Sequence, residues 1–305
     1  MLTVEEKTKC DQRMIEIEND EKYQEMLGDI KSTVANIRVT QEERIRESNR
    51  NHEKADGEKT KNAEEATETM KTSDAHKDFV DKMTDRLREF EDTWVAHLKA
   101  CIKKHPVYTR WLSNVSGIGA ALAGDLLTEY KVEKIYYIGQ LFQYAGIVGN
   151  TRRVKGEKTK YNVYLKKRLL GVLPGSFLKA RSPYAVVYYQ ARIQYLQRWI
   201  NSDEEGRKNL TLGHQHMMAN RKMVQQFIKD YYVAFRTIMD IPVIKSYEEE
   251  KLGMVHVGKS WTSPEIFMDM SKEDQKEYKD TTIVKIAELK ETLAGMVKSC
   301  GIKPE

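Results

Sequence analysis

The sequence predicts a mostly α protein: a long helical hairpin or coiled coil, then a compact helical domain containing a helix-hairpin-helix. Three observations carry this. Apolar residues recur at three-four spacing, only 6 Pro interrupt 305 residues, and residues 1–106 hold no alternating or β-branched runs. Hydrophobic residues at 40% suffice for at least one sizeable core, which excludes collagen-like and wholly disordered chains.

The first element is a helix striped by Tyr23, Met26, Leu27, Ile30, Val34 and Ile37. Residues 50–77 are almost free of large apolar side chains and read as a polar linker or the solvated tip of a hairpin. Val80, Met83, Leu87, Phe90, Trp94, Leu98, Cys101 and Ile102 then return in a heptad-like series that ends at His105-Pro106. These two stripes can pair within one chain or between two. Residues 1–106 are therefore an arm, 107–240 a basic helical domain, and 241–305 an extension with a closing helix at Ile283, Ile286, Leu289 and Leu293. Met254-Val255-His256-Val257 reads as one short strand of that extension.

The net charge of +5 hides an asymmetry. Residues 1–100 carry −7, residues 101–240 carry +14 and residues 241–305 carry −2. A basic block between acidic flanks is the electrostatic footprint of a nucleic-acid-binding core. The three cysteines, Cys10, Cys101 and Cys300, are too scattered for a disulfide framework or a thiol zinc site. With no long apolar run and a polar N-terminus, neither a membrane span nor a secretory signal is expected, and the cytoplasm is the predicted location.

The run Leu112 to Leu127 closes one helix, turns at Ser116-Gly117-Ile118-Gly119 and opens another on small residues. This is the helix-hairpin-helix pattern, in which glycines permit the turn and the second helix offers unpaired N–H groups to a phosphate. Ile135 to Val148 reads as a short buried helix ended by Gly146. The stretch Asn150 to Arg198 then holds twelve Lys or Arg against one acid, Glu157. Such density is self-repelling unless a polyanion relieves it. The expected nucleic-acid contacts are Ser116, Gly117, Ile118 and Gly119 in the turn, Arg152, Arg153, Lys155, Lys158 and Lys160 in the loop, and Lys166, Lys167 and Arg168 on the next helix. Three consecutive residues fan over about 200° of a helix, so at least one of the last three should point away.

The order of these motifs resembles a known family. The turn Val115 to Gly119, the box Gln140-Leu141 to Tyr144-Ala145-Gly146-Ile147, the basic loop, the helix Thr159 to Leu169 and the segment Asn220 to Val224 together are similar to the C-terminal domain of insertion-sequence transposases and Piv-type DNA invertases. The likeness spans residues 107–238. It implies DNA as partner, with a serine nucleophile in the basic loop and a RuvC-like nuclease ahead of it. Here the loop has no serine between Gly149 and Gly175, Thr151 being the nearest hydroxyl, and the arm offers no sheet for a two-metal nuclease. A non-catalytic DNA-binding protein is thus expected, without cofactor or metal; RNA as the ligand, active recombination and a purely structural assembly role are the alternatives.

Other reactive residue types give weaker signals. His214-Gln215-His216 lacks a matching carboxylate or Cys cluster for a metal, and Tyr184, Tyr188 and Tyr195 suit helix packing better than strand cleavage. Aromatics interleaved with cations could also stack on unpaired bases. A homo-oligomer, favouring a dimer, follows from two acidic arms extending from a basic domain.

Overall fold

The computed structural model describes residues 4–51, 74–148, 155–244 and 263–300. Among them the regular structure is helical, with no strand. The strand expected at 254–257 lies outside the described residues. Helix α1 spans Val4–Asn19, a segment the sequence stripes passed over, and buries Cys10 and Ile17. Helices α2 (Glu21–Asn51) and α3 (Asp74–Ile102) follow, so the polar linker of residues 50–77 starts inside one helix and ends inside the other. The two run antiparallel within one chain. Tyr23 meets His105, Val34 and Leu98 flank the same glycine, and Gln41 and Arg44 both reach Glu91.

That glycine is Gly124 of α5 (Ala120–Glu129), the central helix. A Cβ there would lie 2.7 Å from Val34 and 3.2 Å from Leu98, so its absence lets α5 press into the cleft between α2 and α3. Leu122, Ala123, Leu126 and Leu127 bury the rest of the helix. In consequence one hydrophobic core runs from Cys10 to Ile241, and the division expected at residue 106 is not a break in packing.

Between α3 and α5 the chain makes α4 (Pro106–Arg110) and a 3-10 turn at Leu112–Asn114. His105 caps α4 by accepting from the Val107 N–H, and Pro106 occupies the first turn, where no N–H is needed. After α5 come α6 (Ile138–Tyr144), α7 (Val163–Lys167), a π-helical turn at Arg168–Val172 and α8 (Leu173–Lys179). Pro174 cannot donate to the preceding turn, which accounts for the widening. Long helices α9 (Tyr184–Ile200) and α11 (Leu212–Ile238) pack together, with short α10 (Glu204–Asn209) joining them. Phe177, Tyr184, Phe227, Tyr231 and Trp111 stack where they meet. The extension contributes α12 (Pro264–Asp269) and α13 (Lys272–Ser299); α13 lies on α9, with Ile286 against Ala185 and Val186.

The heptad-like stripe of α3 is only partly covered. Val80, Leu98, Cys101 and Ile102 are buried, whereas Phe90 is 64% exposed and Met83 is open as well; Phe79, just ahead of the stripe, is 60% exposed.

Candidate nucleic-acid interface

The turn at Ser116–Gly119 is fixed from behind. Gly117 has φ +95°, and a Cβ there would stand 3.0 Å from the Phe177 ring and 3.1 Å from the Ser176 carbonyl oxygen. The Ser176 hydroxyl donates to the Gly117 carbonyl at 2.5 Å. Glycine is therefore required twice, for its backbone angle and for close approach of α8. Ser116 and Ile118 are half-buried and Gly119 is exposed. Gly119 begins α5 without a side-chain cap, which leaves first-turn N–H groups of a helix end uncapped by a side chain. The helix ahead of the turn is shorter than the sequence suggests, five residues of α4 and one 3-10 turn.

Behind the turn lies a buried charged node. Asp125, its side chain 4% exposed, accepts from Arg38 at 2.9 Å, from Arg168 at 2.6 Å and from the Tyr164 hydroxyl at 3.0 Å. Arg38 also donates to Glu129 at 2.8 Å and lies 3.6 Å from the centroid of the Tyr164 ring. Asn162 extends the chain of bonds: its amide donates to Glu129 while its carbonyl oxygen accepts from the Leu165 N–H and caps α7. Burial first, then the neighbouring Asp125 carboxylate, pushes the Tyr164 phenol up to about 12. The node ties α2, α5 and α7 together. Of the three cations expected on this helical run, Arg168 is turned inward onto Asp125, its side chain 19% exposed.

The remaining cations divide by position. Lys155, Lys158 and Lys160 are exposed, as is Glu157. The loop returns through Tyr161, whose ring covers Gly146; at φ +65°, a Cβ on Gly146 would strike that ring at 2.7 Å. The Lys166 ammonium sits 4.3 Å from the centroid of the same ring, and Lys167 is exposed. Arg152, Arg153 and Thr151 lie outside the described residues. Lys167 and Ser176 belong to one continuous helical run, nine residues apart, so the cationic edge and the glycine turn sit about 13 Å apart along it.

The other candidates belong to packing. The His216 ring meets the Tyr188 hydroxyl at 2.7 Å and the Asn220 amide at 2.9 Å, while His214 is exposed. The Tyr184 hydroxyl donates to Asp230 at 2.9 Å, and burial drives its pKa well above the usual phenol value. Among the described residues no three His, Cys, Asp or Glu gather as a metal site, and no helix is long and apolar enough to cross a membrane. Sequence reasoning missed Asp125. Its signal was a lone carboxylate in the apolar run Ala120 to Leu127, which demands a buried partner.

No protein-family model matches the chain, and neither curated proteins nor solved structures gave a similar one.

Proposed function

We propose that this chain binds nucleic acid through the phosphate backbone, duplex DNA in preference to RNA, as a cytoplasmic relative of the C-terminal domain of insertion-sequence transposases and Piv-type invertases. The observation that carries the reading is the fate of the cations. Lys155, Lys158, Lys160 and Lys167 stay open to solvent on the stretch where acids are scarcest, while the buried Asp125 carboxylate is already taken by Arg38 and Arg168. Mutual repulsion of such cations is relieved by a polyanion. The glycine turn adds uncapped N–H groups at the start of α5. Strand cleavage would need an activated nucleophile with a base beside it, and the basic loop supplies no serine for that role, so binding alone is the proposed activity.

Fluorescence anisotropy with duplex DNA, single-stranded DNA and structured RNA tests this, run beside a supercoiled-plasmid assay with magnesium or manganese. Duplex affinity above the RNA affinity, with no nicking or joining, is expected. A covalent protein–DNA adduct abolished by Thr151→Ala would restore recombinase chemistry, and equal indifference to all three probes would end the reading.

Assembly is the second reading, and the open row Phe79, Met83 and Phe90 on α3 favours it. These residues fall on one line of the helix, suited to a second arm. Phe79→Ser with Phe90→Ser is expected to reduce a dimeric light-scattering mass to the monomer without lowering the melting temperature. A monomeric wild type across the micromolar range would remove the dimer.

A further inference from the structure

The C-terminal segment, to which no sequence motif assigns a role, builds a cleft against the central domain. Its volume is about 530 Å³. Arg110 and Asn114 line one side, from α4 and the 3-10 turn; Lys272, Gln275, Lys276 and Lys279 line the other, from α13. None of the four cations is in an ion pair with a described residue. Their arrangement is not a random surface mixture. Lys272, Lys276 and Lys279 follow i, i+4, i+7 spacing and share one face of α13, whereas Glu273, Asp274, Glu277 and Asp280 project from its other faces. The Gln275 amide donates to the Phe267 and Met270 carbonyl oxygens at 3.1 and 3.3 Å, which fixes the corner between α12 and α13 and hence the aim of the lysines.

Asn114 and Lys279 also line a crevice of only about 20 Å³ that reaches Ser116, the first residue of the glycine turn. We propose that the cleft holds a sugar-phosphate unit of a nucleic-acid strand. The volume exceeds that of a bare phosphate ion, and Met268 and Met270 supply an apolar wall for a sugar or base. Four converging cations with no ion-pair partner among the described residues match a phosphodiester, in DNA or RNA alike. The inference rests on the nucleic-acid reading and extends it to residues 263–300.

The test uses the full chain with labelled duplex DNA, single-stranded DNA and structured RNA at a series of salt concentrations. A cleft variant, Lys272→Gln with Lys276→Gln and Lys279→Gln, is compared with Lys290→Gln and Lys298→Gln, which remove charge further along the same helix. The cleft variant is expected to lose at least tenfold in affinity and to flatten the log–log salt slope by up to about 2.7 on duplex DNA, at roughly 0.9 for each phosphate no longer neutralised. The control should leave the slope within about 0.5 of wild type on the same scale. An unchanged thermal melt for the cleft variant shows that the loss is one of binding. If the cleft variant keeps the wild-type slope while Lys155→Ala with Lys158→Ala and Lys160→Ala lowers it, this inference falls and the parent reading stands. A wild type without salt-dependent affinity for any of the three polymers overturns both.

Discussion

Lys167 and Arg168 are neighbours in sequence and opposites in structure. Lys167 faces solvent; Arg168 reaches Asp125 at 2.6 Å inside the molecule. A step of one residue turns a helix by about 100°, enough to move a cation from the surface to a buried carboxylate. The basic character of the middle of the chain is therefore two things at once. One part, Arg38 and Arg168 around Asp125, neutralises an interior acid and holds the arm to α5 and α7. The other part, the lysines at 155, 158, 160 and 167, has positions on the outside. Charge density in a sequence counts both parts, and only packing separates them.

That separation can be broken from the inside first. Asp125→Ala leaves two arginines beside a vacated site, and loss of one partner of a buried ion pair costs about 3 to 5 kcal/mol. The low end, about 3 kcal/mol, is expected because the Arg38 and Arg168 side chains keep 27% and 19% of their surface. Urea denaturation measures it, and a loss under about 1 kcal/mol would mean the node is ornamental to the fold.

His105 sharpens the comparison from the interior. Its Nδ1 accepts from the Val107 N–H, its Nε2 faces the Tyr23 hydroxyl at 3.2 Å, and burial holds its pKa at about 4. The folded state thus prefers the neutral ring, while the unfolded chain protonates near 6.5. This contribution is complete above about pH 6.5 and is lost as pH falls from there to about 4, on the order of 2 to 3 kcal/mol. Buried Glu133, its pKa raised by burial, acts in the opposite sense. The informative quantity is then the difference between wild type and His105→Asn, which keeps an acceptor for the cap. That difference should shrink steadily over this pH window, and a pH-independent difference would refute the assignment.

Arg168→Ala is expected to cost less, about 1.5 kcal/mol, since Asp125 retains Arg38 and Tyr164. Chemical denaturation checks the value. Smallest of all is the effect on folding of Lys155→Ala, Lys158→Ala and Lys160→Ala together, expected within about 0.5 kcal/mol of wild type because nothing buried depends on them. A larger loss in the same denaturation experiment would place these lysines in the fold and not at its edge.

Much of the helical architecture was legible because it rests on local signals. The stripes at Tyr23 to Ile37 and Val80 to Ile102 mark α2 and α3, His105-Pro106 marks the boundary after them, and Gly146 marks the end of α6. What stayed hidden depends on partners far along the chain. Helix α1 carries a weak stripe and is held to the domain where Cys10 meets Arg236 and Arg13 donates to the Met239 carbonyl, both 226 residues away. Gly124 reads as a helix-weakening residue until three helices cross at it. Met83 and Phe90 belong to an apolar period that packing covers only along one edge. Within the candidate site the turn at Gly117 and the exposed loop lysines could be read directly, whereas the inward turn of Arg168 could not, because its acid lies 43 residues earlier on another helix.

The salt dependence of duplex-DNA affinity, compared among wild type, the Lys155→Ala, Lys158→Ala and Lys160→Ala variant and Arg168→Ala, tests the central claim most directly. If the open lysines bind phosphate and the inward-turned arginine does not, the log–log slope falls by roughly 0.9 for each phosphate that the lysine variant no longer neutralises, and Arg168→Ala keeps the wild-type slope despite its lower stability. A lysine variant with the wild-type slope, or an Arg168→Ala protein whose slope falls as far, would contradict it.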